Sequence, residues 1–155
     1  MQSCNILKSI SSAPDARAII EGNCIKGTAD FYQTRQGVLV VVEAIGLPDC
    51  DKHKIFALHI HEGKSCSGHS GEAFAGTGGH YNPDGCEHPY HAGDLPPLFS
   101  NCGYAFLAVL TGRFSLCDVI GRTVVIHSGP DDFVSQPAGN AGEKIACGII
   151  RRCEK

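Results

Sequence analysis

The chain has 155 residues, 43% of them hydrophobic and 19% charged. That suffices for one buried core and is short for two, and it excludes a disordered acidic tail or a coiled coil. A net charge of −3 offers no footprint for nucleic acid or an anionic membrane, and no window reaches the roughly 18 apolar residues of a membrane span.

In chain order, the opening MQSCNILKSI has one lysine and no continuous apolar stretch. No signal peptide is visible, so a cytoplasmic address is expected, or a secreted or periplasmic one if a leader has been removed. Residues 1–15 are expected to form a loose extension of a single domain spanning 1–155. Short runs rich in valine and isoleucine, bounded by Gly, Pro, Asn or Asp, predict strands at 17–20, 25–34, 37–45, 55–61, 102–110, 122–127 and 145–152. In the second, Ile25, Gly27, Ala29 and Phe31 alternate with Lys26, Thr28, Asp30 and Tyr32, the period of a half-buried strand. Gln36-Gly37 predicts a hairpin tip and residues 46–49 a turn. About seven or eight short strands without helices suggest an antiparallel sandwich or Greek-key barrel.

Two long segments, 62–98 and 128–143, interrupt the strands. Loops beyond about 15 residues in a compact domain are usually functional or disordered, and the histidines of the first suggest that metal orders it. His59 and His61 end a strand at i and i+2, so both imidazoles point to one face. His80, His88, His91 and Asp94 follow within fifteen residues. Three imidazoles and a carboxylate form a sufficient tetrahedral Zn²⁺ site; a solvated loop with chance histidines is the competing reading. His127, ending another valine-rich run, can join His59 and His61, and four imidazoles suit Cu(II). Nine cysteines without a C-x-x-C pair argue against a zinc ribbon or thioredoxin-type site. Most are expected to be reduced, partly buried small hydrophobes.

Five stretches together are distinctive: Leu58-His59-Ile60-His61-Glu62, Gly79-His80-Tyr81-Asn82-Pro83, His91-Ala92-Gly93-Asp94-Leu95, residues 121–127 ending in His127, and Gly139-Asn140-Ala141-Gly142 followed by Ala146-Cys147-Gly148. In order and kind they resemble copper,zinc superoxide dismutase, over about residues 16–152. The resemblance implies an all-β fold: an eight-stranded antiparallel Greek-key barrel or sandwich, immunoglobulin-like, with two long functional loops. It implies copper on His59, His61, His80 and His127, zinc on His80, His88, His91 and Asp94, and His80 shared between them. It places Asp131 as the carboxylate linking a copper histidine to a zinc histidine, and a disulfide between Cys66 and Cys147. Such a bond would limit the unfolded chain's entropy by about 4 kcal/mol.

The implied activity is an oxidoreductase disproportionating superoxide, with His80, Lys144 and His127 catalytic. Lys144 stands where the family's anion-guiding arginine falls, so reduced capture rather than none is expected. Compared with the family pattern, 67–79 is long, the His88–His91 spacing is short, and 127–144 is short. His53, His69 and the other cysteines are expected at the surface or in packing. The alternative is a copper-binding or copper-buffering protein of the same fold with little dismutase activity. Superoxide is the expected partner, with no nucleic acid and no membrane; a homodimer is left open.

Overall fold

The computed structural model describes residues 12–48, 55–69 and 71–154. Most of the expected N-terminal extension, the end of the predicted 46–49 turn, Cys4, Cys50 and His53 lie outside the described residues. The strands are β1 (Ala16–Gly22), β2 (Lys26–Thr34), β3 (Gly37–Ile45), β4 (Ile55–His61), β5 (Asp94–Asn101), β6 (Tyr104–Thr111), β7 (Thr123–His127), β8 (Lys144–Ile149) and β9 (Arg151–Arg152). They pair antiparallel in the order β2-β3-β6-β5-β4-β7-β8-β1-β9, and β1 also pairs with β2, closing a barrel. β8 and β9 are one run broken at the buried Ile150, whose amide donates to Arg122 O while Gly121 N donates to its carbonyl. Counting that run once, the barrel has eight strands. The β3–β4 and β6–β7 connections each pass over two strands, which makes it a Greek key.

Alternation builds the interior. Ala16, Ala18 and Ile20 of β1, Ala29 and Phe31 of β2, and Val38, Val40, Val42 and Ala44 of β3 are buried, and they meet Phe56, Leu58, Ile60, Leu98 and Ile126. Each large side chain removed from water here contributes about 1.5–3 kcal/mol. β4 and β7 break the alternation because nearly every residue is buried. Their inward residues fill the barrel. Their outward residues, His59, His61, Thr123, Val125 and His127, lie under the long loops. That covered outer face is where the site forms.

Three expectations need correction. The segment 62–98 is not loop throughout, since β5 starts at Asp94. Pro96 and Pro97 masked it, but they sit where a bulge interrupts pairing with β4, between Phe56↔Leu98 and Leu58↔Leu95, and β6 pairs only with Ser100 and Asn101. No ladder bond is required of either proline. Cys102 and Gly103, read as strand, form the β5–β6 turn at φ 51° and 77°, the positive values a two-residue hairpin needs. A one-turn helix, α1 (Leu116–Val119), stands where none was expected; the Asp118 carboxylate accepts from the Ser115 amide at 2.8 Å and caps it.

Cys66 and Cys147 form a disulfide with Cα atoms 5.7 Å apart. The other described cysteines are free thiols but mostly not buried: Cys24, Cys86, Cys102 and Cys117 are exposed and Cys153 is half-buried. Cys24 and Cys102 occupy left-handed turn positions rather than packed strand positions. Among the described residues, no helix is long and apolar enough to cross a membrane.

Candidate metal centre

β4 sends His59 and His61 to one outer face, and β7 lies beside it in register, His59 opposite Val125 and His61 opposite Thr123, bringing His127 alongside. His80 arrives by a different route. Tyr81 N donates to Ile60 O, Ile60 N to Gly93 O, and Gly93 N to Tyr81 O, all at 2.8 Å. The long loop is thus laid along β4, with His80 bridged to His61. Gly93 allows this approach, because a Cβ there would stand 2.2 Å from Ile60 O. The same crossing delivers Asp94 opposite His59.

Two donor groups result: His59, His61, His80 and His127, and His80, His88, His91 and Asp94. Within each, one ligand-type atom per residue lies within 4.8 Å of all the others, and all the residues are buried. His80 belongs to both. Its ring centroid is 3.9 Å from that of His59 and 5.5 Å from that of His91.

Hydrogen bonds set which nitrogens carry protons. His61 Nδ1 donates to Gly78 O at 2.9 Å and His127 Nδ1 to Gly142 O at 3.3 Å, leaving both Nε2 atoms as lone pairs. Those two lone pairs face each other at 3.1 Å. His59 Nε2 donates to Asp131 Oδ2 and His88 Nε2 to Asp131 Oδ1, each at 2.8 Å, which makes both Nδ1 atoms lone pairs. His88 Nδ1 then faces an Asp94 oxygen at 3.0 Å. Lone pairs converging at such distances repel unless a cation lies between them.

Three of these atoms, His59 Nδ1, His80 Nε2 and His88 Nδ1, are buried without a hydrogen-bond partner, a costly state for polar nitrogen. Donor spacings in the second group are 3.0 Å (His88 Nδ1 to Asp94 Oδ2), 3.3 Å (His91 Nδ1 to Asp94 Oδ2) and 3.4 Å (His80 Nδ1 to His91 Nδ1). A tetrahedron with zinc-like bond lengths has edges of about 3.3 Å. The residues fit metal.

Charge states agree with that fit. Burial pushes His61 down to about 2 despite the Gly78 carbonyl. Burial and the neighbouring His59 ring push His127 down to about 3. His59 is also lowered by burial, against the pull of Asp131. Burial acts upward on Asp94 and Asp131, yet both end below the usual carboxylate range: the bond from His80 holds down Asp94, and bonds from His59, the Phe133 amide and His88 hold down Asp131. Near neutral pH His59, His61 and His127 are therefore bare imidazoles, and Asp94 and Asp131 are ionised.

Lys144 lies at the rim. Its Nζ donates to Gly78 O at 3.2 Å and stands 3.3 Å from Glu72 Oε1. A cavity of about 390 Å³ opens there, lined by Gly71, Glu72, Ala73, Gly142, Glu143 and Lys144. The disulfide holds the loop that carries Gly78, since Ser67, next to Cys66, accepts from the Gly76 amide at 2.8 Å. His69 is exposed, paired through its backbone with Glu72. Sequence reasoning missed Glu72, Arg113 and Gln136, which meet the site only through distant chain segments and carry no spacing signal.

Residues 25–150 match the family model for copper/zinc superoxide dismutase (SODC). The chain is 40% identical over 146 residues to superoxide dismutase (Cu-Zn) 2 of Aquifex aeolicus, covering 84% of this chain and 81% of that protein. It is 34% identical over 133 residues to superoxide dismutase (Cu-Zn) of Legionella pneumophila, covering 81% and 77%. Among solved structures, Cu/Zn superoxide dismutase from Brucella abortus aligns with a TM-score of 0.73 at 24% identity, over 86% of this chain and 98% of that one, a likeness of fold. With the match spanning most of the barrel and both long loops, the chain belongs to the copper/zinc superoxide dismutase family.

Proposed function

We propose that this chain, read as one domain, disproportionates superoxide, two superoxide anions and two protons giving one dioxygen and one hydrogen peroxide. In this reading His59, His61, His80 and His127 hold copper, and His80, His88, His91 and Asp94 hold zinc. The observation that carries it is His80, whose Nδ1 lies among the second group while Nε2 is buried and left for the first. Bound copper would supply the one-electron chemistry, accepting an electron from one superoxide and returning it to the next.

The chain's own residues do the rest. Asp131 and the Gly78 and Gly142 carbonyls fix the tautomers of His59, His88, His61 and His127, so each offers a lone pair without rearrangement. His80 Nε2 is the atom that can hold a proton and pass it to the peroxide, while the second group keeps the ring in place. Lys144 attracts the anion at the rim, with part of its field offset by Glu72. A copper-buffering protein would need neither a ring common to two donor groups nor a complete second group, so the geometry disfavours that alternative.

The test is superoxide decay by protein loaded with one copper and one zinc, beside His127→Ala. Rapid copper-dependent decay lost in the variant is expected. Decay no faster than the variant, with copper demonstrably bound, would leave copper buffering as the function.

A further inference from the structure

The segment 87–93 carries two donor histidines and leads into a third donor, Asp94, without any strand or helix of its own. His88, His91 and Asp94 follow at intervals of three, so the backbone has little slack while it aims three donors at one point. Such a segment needs partners for its peptide groups. Within it, Tyr90 N donates to Glu87 O, Asp94 N to His91 O, and His91 N to Asp94 Oδ2. Gly93 is held by Ile60 and Tyr81, and two side chains from elsewhere hold further groups.

Arg113 lies between β6 and α1. Its Nη1 donates to Pro89 O at 3.1 Å, His91 O at 3.2 Å and Asp94 O at 3.1 Å. Two hydrogens face three carbonyls, so one bond is shared. Gln136 comes from the other long loop. Its Oε1 accepts from His88 N at 2.9 Å and its Nε2 donates to His88 O at 2.7 Å, a reciprocal amide pair. One guanidinium nitrogen and one carboxamide therefore hold the carbonyls of residues 88, 89, 91 and 94 and the amide of His88. Among the described residues, every hydrogen bond of these two side chains goes to a backbone group, none to a donor nitrogen.

The geometry points to Arg113 and Gln136 as positioning residues for the His80–His88–His91–Asp94 group, pre-setting the short loop for zinc. This rests on the reading above that the group holds zinc. The sign of the Arg113 charge separates a positional role from an electrostatic one. A guanidinium beside a divalent-cation site opposes binding by Coulomb's law, so charge alone predicts tighter zinc when it is removed. Positioning predicts weaker zinc. Lysine, a point charge without the planar fork, restores part of the effect.

The test uses the full chain, stripped of metal and reloaded. Zinc dissociation constants come from chelator competition on wild type, Arg113→Ala, Arg113→Lys and Gln136→Ala. The visible spectrum with cobalt in the zinc group is recorded, as is amide hydrogen exchange over residues 88–94 without metal. Arg113→Ala and Gln136→Ala should each raise the zinc constant about 10- to 100-fold, shift the cobalt bands and speed exchange, with Arg113→Lys intermediate. A merely structural loss would lower melting temperature and leave the cobalt bands alone. A folded Arg113→Ala that binds zinc within twofold of wild type, or more tightly, overturns the proposal. Should Arg113→Ala fail to fold, Gln136→Ala carries the same criterion. Should wild type bind no zinc, the zinc reading falls by itself, and unchanged exchange in the variants would overturn the clamp as well.

Discussion

The ammonium of Lys144 stands 3.3 Å from a carboxylate oxygen of Glu72 and shares the Gly78 carbonyl with His61 Nδ1. The cation at the rim of the centre is thus fastened to the backbone that orients a donor histidine, and paired with an acid from the long 67–79 stretch. Glu143 lines the same opening. At this opening one ammonium therefore faces two carboxylates, Glu72 and Glu143, where the resemblance implied an anion-guiding cation.

Replacing Glu72 by Gln therefore removes the charge opposing Lys144 and leaves a side chain of the same length. We predict that the second-order rate of superoxide decay rises about two- to five-fold at low ionic strength and depends more steeply on salt. An unchanged rate and salt dependence would show that the pair does not limit anion capture.

The barrel was legible because its strands are short valine- and isoleucine-rich runs between turn residues, and Ile25 to Tyr32 writes period two into the chain. His59 and His61 share a face for the same reason. β5 was hidden because Pro96-Pro97 reads locally as a break, and only the bulge against β4 explains why the strand tolerates it. α1 was hidden by its length of a single turn, although Ser115 and Asp118 have the spacing of a capping box. The supports of the centre were least visible. Gln136 meets His88 across 48 residues and Glu72 meets Lys144 across 72, contacts that no local pattern encodes. The resemblance named the donor positions and Asp131, but not Arg113, Gln136 or the Gly78 and Gly142 carbonyls.

Gly139 offers a steric test of the Asp131 bridge. At φ +66°, a Cβ there would stand 2.0 Å from Asp131 Oδ1 and 2.6 Å from His88 Nε2, driving the two apart. Gly85 has a nearly equal φ of +64° with nothing within 4 Å of the same Cβ. Ala at either position incurs the left-handed backbone cost of about 1–2 kcal/mol, and only Gly139→Ala also breaks the bridge. Chelator competition should show about 10- to 100-fold weaker metal binding for Gly139→Ala than for Gly85→Ala. Equal affinities in the two would mean that Asp131 does not organise the donors.

The metal-free protein should lose stability as it is acidified well before any carboxylate titrates. His61 and His127 are held down to about 2 and about 3 when folded, chiefly by burial. In the unfolded chain they titrate near 6.5, so on acidification the unfolded state binds protons first. Their contribution is complete above that value and is lost progressively as pH falls toward 3. Asp94 and Asp131 are depressed, so their contribution is lost only in stronger acid. Each histidine should remove about 1.4 kcal/mol between pH 7.5 and 5.5, or about 2–3 kcal/mol for the pair. Urea unfolding of metal-free protein at those two pH values measures this, and His127→Gln should remove about half of the difference. Equal stability at both values would mean that the rings accept protons in place, and the centre would then be wetter than its burial indicates.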